Sequence, residues 1–317
     1  MRTIVTGGAG FIGSNLARTL EQTDEVRILD NFSTGDRRFL SLNSGQRELI
    51  EVDISTAKVD FLVEIMDGYD RVFHIAANAD VRGGWSNYRV DLDQNIIATS
   101  NVAEAARRSG VKEIIFASTG CVYGDSTIIP TSEKEPFPIQ TSLYGASKVA
   151  AEGILSSYAA QGAFSVTVFR FVSVLGQNYH HGHVIDFVRK LRANPRELAV
   201  LGNGTQRKSY IHVEDCVQAL TALRNQNSRF EVFNIGHDYF IPVHESANLV
   251  IKSMGLAPRI LFGTEDRGWI GDNPFTFLDI SKAKSFGWIP TISIEESVAQ
   301  TVQFLLENDW VLSRGYE

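Results

Sequence analysis

Tyr144 and Lys148 stand four residues apart in Tyr144-Gly-Ala-Ser-Lys148, within a segment, 145–162, whose spacing predicts a helix. Val149, Ala150, Ile154, Leu155 and Tyr158 form the predicted apolar face of that helix. Residues four apart stack on one side of a helix, so the phenol and the ammonium point the same way. A neighbouring cation favours phenolate and draws a tyrosine down from about 10 toward the working pH. The expected product is a general base, which an isolated tyrosine is not. In a chain with nine tyrosines such a pair also arises by coincidence, so its meaning depends on the elements that would position it.

Those elements begin at the first residues. Thr3-Ile4-Val5-Thr6 is a short β-rich run, followed by Gly7-Gly8-Ala9-Gly10-Phe11-Ile12-Gly13 and a helical pattern through Leu20. Strand, glycine turn and helix N-terminus in that order form a dinucleotide site, because glycines let backbone N–H groups approach a pyrophosphate. A second run, Val26-Arg27-Ile28-Leu29, ends in Asp30, whose carboxylate suits a ribose hydroxyl and repels a 2′-phosphate, favouring NAD over NADP. Arg37 and Arg38 come too late for the usual 2′-phosphate clamp.

The alternation continues. Leu49-Ile50-Glu51-Val52 ends at Asp53, Arg71-Val72-Phe73-His74-Ile75 at Ala76-Ala77, Ile114-Ile115-Phe116-Ala117 at Ser118-Thr119, and Val166-Thr167-Val168-Phe169 near Arg170. Helical patterns fill the intervals at 61–66, 92–109 and 144–162. The pattern predicts an α/β fold, a Rossmann-type doubly wound parallel sheet with ligands at the carboxyl ends of its strands. Beyond about Gly176 short strands (Ala199-Val200-Leu201, Phe233-Asn234-Ile235) mix with helices at 184–193, 213–224 and 243–254. The expected division is a cofactor domain over 1–175 and a smaller α/β substrate lobe over 176–317, interleaved with the end of the sheet.

Composition bounds the class. With 44% hydrophobic and 21% charged residues the chain is an ordinary globule, and a net charge of -7 argues against nucleic acid as the main partner. Two cysteines, Cys121 and Cys216, make neither a disulfide framework nor a metal cluster and suit a reducing, cytoplasmic setting. No apolar run approaches the ~20 residues of a membrane span, and a strand starting at Arg2 leaves no room for a signal peptide.

These motifs, in this order, resemble the extended short-chain dehydrogenase/reductase family, specifically its NAD-dependent sugar-nucleotide epimerases and dehydratases. Gly7-x-x-Gly10-x-x-Gly13 looks like the family's cofactor loop, Asp30-Asn31 its ribose acceptor and Asp53-Ile54 its adenine contact. His74-Ile-Ala-Ala77 looks like the strand-four signature, Asn95 the helix residue supporting the site, and Ser118-Thr119-Gly-Cys121-Val-Tyr-Gly124 the strand-five motif. The resemblance implies NAD held also by Phe11, Ile12, Ser33, Gly35, Ala76, Ala77, Ala79, Ser118, Tyr144, Lys148 and Phe171. It implies a nucleotide sugar held by Thr119, Ser173, His183, Val184, Leu201, Gln206 and Lys208, with Arg267 and Asp272 of Arg267-Gly-Trp-Ile-Gly-Asp272. Asp279-x-Ser-Lys-Ala283 followed by Gly287-Trp288 looks like the family's closing signature. The implied catalytic set is Thr119, Tyr144 and Lys148, with tyrosinate removing the C4 hydroxyl proton while hydride passes to NAD. The resulting 4-keto sugar turns over, and hydride returns to its other face.

Three departures shape the expectation. Gly120 and Cys121 replace the Asp-Glu pair of dehydratases, and glycine cannot protonate a leaving hydroxyl. Cys121 falls where 3,5-epimerases place an acid/base cysteine, although a small packed residue is the plainer account. Ser173 replaces an amide, and Lys208 stands where an arginine is usual, so phosphate is gripped without a bidentate fork. His180-His-Gly-His183 lacks a carboxylate or thiol at ligand spacing, and no metal is expected. Trp85 either stacks on a sugar ring or packs the lobe interface. The 92–109 and 144–162 helices, with Ala98, Ala103, Ala105, Ala106, Ala146, Ala150 and Ala151, are expected to build a homodimer through a four-helix bundle. The overall expectation is an NAD-dependent nucleotide-sugar 4-epimerase on a UDP-hexose. The alternatives are a 4-dehydrogenase, a C3/C5-epimerase using Cys121, possibly on a GDP-sugar, and a non-catalytic nucleotide-sugar or NAD binder.

Overall fold

A computed structural model of the chain describes residues 1–40, 47–137, 139–223, 228–269 and 271–314. Arg224, at the end of the 213–224 helical pattern, and Ile270, inside the 267–272 motif, lie outside these residues. The β-rich runs form β1 (Arg2–Thr6), β2 (Glu25–Asp30), β3 (Arg47–Glu51), β4 (Arg71–His74), β5 (Glu113–Thr119) and β6 (Ser165–Phe171). The later strands, most of them short, are β7 (Ser173–Leu175), β8 (Glu197–Val200), β9 (Arg207–Lys208), β10 (Tyr210–His212), β11 (Phe230–Ile235), β12 (Ile241–Pro242), β13 (Arg259–Phe262) and β14 (Phe275–Thr276).

The main sheet runs β11-β6-β5-β4-β1-β2-β3, parallel throughout. Alternate strand residues feed its two faces. Ile4, Val72, Ile114 and Phe116 enter one core with α2 (Val59–Met66), α4 (Ala98–Ser109) and α5 (Leu143–Ala160). Val5, Phe73 and Ile115 enter the other with α1 (Phe11–Leu20), α6 (His183–Ala193), α7 (Val213–Ala222), α8 (Val243–Ser253) and α10 (Ile294–Glu307). Both faces are covered, which is why these strands read as nearly continuous apolar runs. Strand order reverses between β1 and β4, and a crevice for a ligand opens at such a switch point.

Three findings revise the expected layout. Phe233-Asn234-Ile235 belongs to β11, the seventh strand of the main sheet, paired with β6 from Val166↔Phe230 to Phe171↔Ile235. The chain therefore leaves the sheet after β6, builds small sheets (β10-β7, β13-β8, β12-β9-β14), and returns once in between. The single helix expected over 92–109 is α3 (Tyr88–Asp91), a π-helical turn (Leu92–Ile97) and α4. Wide turns of this kind occur often at functional sites, and this one carries Asn95. Finally, Ala98, Ala103, Ala105, Ala106 and Ala151 are buried inside the protomer. Their small side chains let α4 and α5 close on the sheet and on each other, so they are not surface for a bundle.

Candidate active site

The cofactor loop is built around missing side chains. Gly7 has φ +66°, and a Cβ there would lie 2.7 Å from the Ala76 backbone. On Gly13 a Cβ would lie 2.1 Å from the Gly7 carbonyl oxygen. Gly10 is the N-cap of α1 and no side chain caps the helix, leaving first-turn N–H groups for a ligand. Phe11 is buried here and Ile12 partly so. These features fit a dinucleotide. A methyl forced into this loop costs about 1–3 kcal/mol, so Gly13→Ala should weaken NAD binding about ten- to a hundredfold. Titration calorimetry with NAD checks this, and unchanged affinity would refute the loop assignment.

The residues expected at the adenosine end follow β2 and β3. Asp30 accepts from the N–H groups of Ala9 and Phe32, both at 2.8 Å, while burial pushes its carboxyl up. Gly35 packs close to that carboxylate, and Asn31 closes a local turn on Ser33. Asp53 accepts from Asn31, Ser55 and Gln94, and Ile54 beside it is buried. Gln94 is a residue the motifs did not single out. Arg37 pairs with Glu51 and lies over Phe32, and Arg38 pairs with Asp36 and lies over Trp310. Both guanidinium groups are thus engaged within the protein.

Ala76, Ala77 and Ala79 follow β4, with the Ala76 N–H donating to Thr6 Oγ1. His74 is fully buried between Thr6 and Thr99, and burial pulls it down to about 3, so it is a neutral structural link. Asn95 receives the Asn78 N–H and donates to Ser147 Oγ at 2.8 Å; Ser147 donates to the Tyr144 carbonyl at 2.7 Å. The π turn is thereby tied to the catalytic helix.

On α5 the buried face is Tyr144, Ser147, Lys148, Ala151, Glu152, Leu155 and Ala159. This differs from the apolar face expected at Val149, Ala150, Ile154 and Tyr158, which are only partly buried. The difference has a physical reason: three polar side chains one turn apart, Tyr144, Lys148 and Glu152, are turned inward because the sheet supplies partners for them. Ser142 caps the helix through the Gly145 N–H, which sets Tyr144 in its first turn.

The expected lowering of the tyrosine is reversed in this structure. Burial pushes the Tyr144 phenol well above the ordinary range; Cys121 and Asp91 add to the rise, and the hydrogen bond with Thr119 opposes it. Lys148 instead donates to the Ala117 carbonyl at 2.9 Å, lies over the Phe116 ring, and is pulled down to about 8 by burial. Thr119 also accepts from the Cys121 N–H at 3.1 Å. Ser118 turns into the core rather than toward the cleft, its hydroxyl donating to Glu152 at 2.5 Å. Glu152 forms a two-pronged ion pair with Arg170 (2.6 and 3.1 Å), whose other arm reaches the Tyr123 hydroxyl. Phe171, at the end of β6, is buried against Phe169.

Of the residues expected at the sugar nucleotide, Lys208, Arg267 and Asp272 come together. Lys208 pairs with Asp272 at 2.7 Å, and Arg267 donates to the Asp272 carbonyl while pairing with Asp125. Gln206 is buried near them, with neither amide atom hydrogen-bonded. Ser173 and Leu201 are exposed, and Val184 is buried in the core. His183 bonds Ser246 and stacks on Tyr210, while His180 stacks on Phe39. Burial pulls these two histidines to about 4 and about 3. Trp85 is 93% exposed, so it does not pack a lobe interface within the protomer. Cys121 is half-buried, its thiol pushed up by burial, with Lys208 acting in the opposite sense.

The whole chain is similar to proteins of known sequence and structure. The profile described as "NAD dependent epimerase/dehydratase family" matches residues 3–236. A putative UDP-glucose 4-epimerase of Methanocaldococcus jannaschii is 30% identical over 314 residues, 96% of this chain and 99% of the relative. A crystal structure of UDP-galactose 4-epimerase superposes with TM-score 0.87 at 37% identity, covering 98% of this chain and 100% of that one. MoeE5 in complex with UDP-glucose and NAD gives TM-score 0.85 at 30% identity, covering 97% and 99%. The glycine cradle, the buried Tyr144/Lys148 pair and the end-to-end match have one source: the chain belongs to the NAD dependent epimerase/dehydratase family, as an extended short-chain dehydrogenase/reductase enzyme with NAD as its cofactor.

Proposed function

We propose that this enzyme is a 4-epimerase of a nucleotide sugar, with a UDP-hexose as substrate. The observation that carries the reading is Tyr144, buried at the carboxyl end of β5, bonded to Thr119 and one turn from the Lys148 ammonium. Thr119 orients the C4 hydroxyl, and Tyr144 takes and returns its proton. Lys148 supplies positive charge to the phenolate. NAD, when bound in its oxidised form, supplies the acceptor for the C4 hydride and a further positive charge to the cleft. Burial, with Cys121 and Asp91, raises the phenol in this structure, so its ionisation calls for the positive charge of Lys148 and of the bound cofactor. Lys208 and Arg267, at the Asp272 cluster, are the phosphate-binding candidates. Gly120 offers no acid for dehydration, which leaves hydride return as the outcome of the cycle.

The relatives support the UDP reading, since the archaeal relative and the two structural neighbours described above are named for UDP-sugars. A second reading, C3/C5 epimerisation, is favoured by the half-buried Cys121 thiol within electrostatic reach of both Tyr144 and Lys208. The same proposal includes a homodimer through a four-helix bundle of the 92–109 and 144–162 helices, where Ile97 at the end of the π turn and Leu143 at the start of α5 are exposed, a cytoplasmic location, and a division near residue 175. Among the described residues no helix is long and apolar enough to cross a membrane.

Incubation with UDP-, dTDP- and GDP-hexoses in deuterated water tests the function. An isomer of unchanged mass from a UDP-hexose, inverted at C4, is expected. Deuterium entering at C5 would establish the Cys121 reading instead, and accumulating NADH with a product oxidised at C4 would mean a dehydrogenase.

A further inference from the structure

Asp91 is a buried carboxylate to which neither the motifs nor the steps above give a role. It ends α3, one turn before Asn95, and is 2% exposed. Its Oδ1 accepts from the side-chain amides of Asn78 (2.8 Å) and Asn95 (3.2 Å). Its Oδ2 is buried with no hydrogen-bond partner among the described residues. Leaving such an atom unpaired costs about 1–3 kcal/mol, and groups kept in that state call for an explanation. Gly84 is what admits it, since a Cβ there would lie 2.0 Å from Oδ2.

The carboxylate is built into the support of the catalytic helix. The Asn95 nitrogen that holds Oδ1 also donates to Ser147, and Ser147 holds the carbonyl of Tyr144. Lys148 is faced by Glu152 from its own helix, by the Ala117 carbonyl and Phe116 ring of β5, by neutral His74 of β4, and by Asp91. Tyr144 is faced by Thr119 at the end of β5, by Cys121 just after it and again by Asp91. Around Asp91 stand Asn78, Asp80 of the preceding loop, and Lys148.

We propose that Asp91 is a positioning residue for the Tyr144/Lys148 pair: a carboxylate clamped by Asn78 and Asn95 that keeps the Lys148 ammonium charged and sets the pH at which the pair becomes active. This rests on the reading of Tyr144 as the base. The sign follows from the charge. Asp91 raises both Tyr144 and Lys148, so neutralising it lowers both. The proton loss that generates the working phenolate then occurs at lower pH.

Asp91→Asn keeps the shape and removes the charge. The acidic limb of the kcat profile should move down by about one pH unit, with kcat lower and KM little changed. The tyrosinate absorbance of the NAD-bound protein, taken as a difference from Tyr144→Phe, should move the same way without any substrate. An unmoved midpoint in both, with activity falling only as stability falls, overturns the proposal, as does the absence of a Tyr144 signal in the unsubstituted protein. If Asp91→Asn does not fold, Asn78→Ala serves. It removes a bond that favours the charged carboxylate, so a smaller shift in the same direction is expected and no shift refutes the role. A shifted tyrosinate midpoint in a protein that turns over no nucleotide sugar would sink the proposed function and leave the role of Asp91 standing.

Discussion

Tyr144→Phe is expected to lower kcat by about 10²–10⁴-fold, the range supplied by a positioned general base. NAD affinity should stay near that of the unsubstituted enzyme, because the glycine loop and the Asp30 turn are untouched. The substitution should also leave the fold intact. Thr119 loses the phenol but keeps the Cys121 N–H, so no buried donor or acceptor is stranded at that position. The assay is turnover on the nucleotide sugar identified by the panel, run beside calorimetric NAD binding. Survival of activity would remove Tyr144 from the mechanism. Loss of NAD binding together with activity would mean that the phenol holds the cofactor rather than acting on the sugar.

The largest effect on stability is expected at Arg170→Ala. Arg170 and Glu152 are both buried; their pair is completed by Ser118 on one side and Tyr123 on the other. A buried ion pair as a whole adds little over an apolar substitute, but removing one partner strands the other charge and costs about 3–5 kcal/mol. Against a total stability of about 5–15 kcal/mol, that brings the protein close to unfolding at ordinary temperature. Urea denaturation measures it directly. The double variant Arg170→Ala/Glu152→Leu should recover part of the loss, since no charge is then left unpaired. If the single variant is as stable as the parent, the pair is not the element that fixes α5 to β6. Where it folds, lower activity is also expected, because Glu152 helps hold Lys148 in its charged form.

The contrast between these two residues bears on what could be read in advance. Tyr144, Lys148 and the glycine loop were legible because their spacing within one segment carries the geometry: four residues along a helix, or a turn between strand and helix. The parallel sheet was legible for a similar reason, as the apolar runs recur with helices between them. Glu152, Arg170, Asp91 and Gln94 gave no such signal. Three of them meet partners far away in sequence: Arg170 lies 47 residues from Tyr123, Gln94 lies 41 from Asp53 and Glu152 lies 34 from Ser118, while Asp91 is held by Asn78 across the irregular loop after β4. Pairing across such gaps is set by which strand lies beside which. The one available hint was Glu152 a turn beyond Lys148 on the same helix, which the apolar-face reading of α5 passed over.

Local spacing and the period of apolar residues were enough for the strand-turn-helix expected to receive NAD, the doubly wound sheet and the Tyr144/Lys148 pair, while Thr119 joined the proposed trio through the family resemblance. Only the tertiary structure decided which face of α5 is buried, where β11 inserts, that the 92–109 helix widens at Asn95, and that the alanines of α4 serve the protomer's own core. It also reversed the expected sense of the Tyr144 shift. A nearby cation can be inferred from four residues, but desolvation depends on everything packed around the phenol, and here burial raises it, with Cys121 and Asp91 adding to the rise.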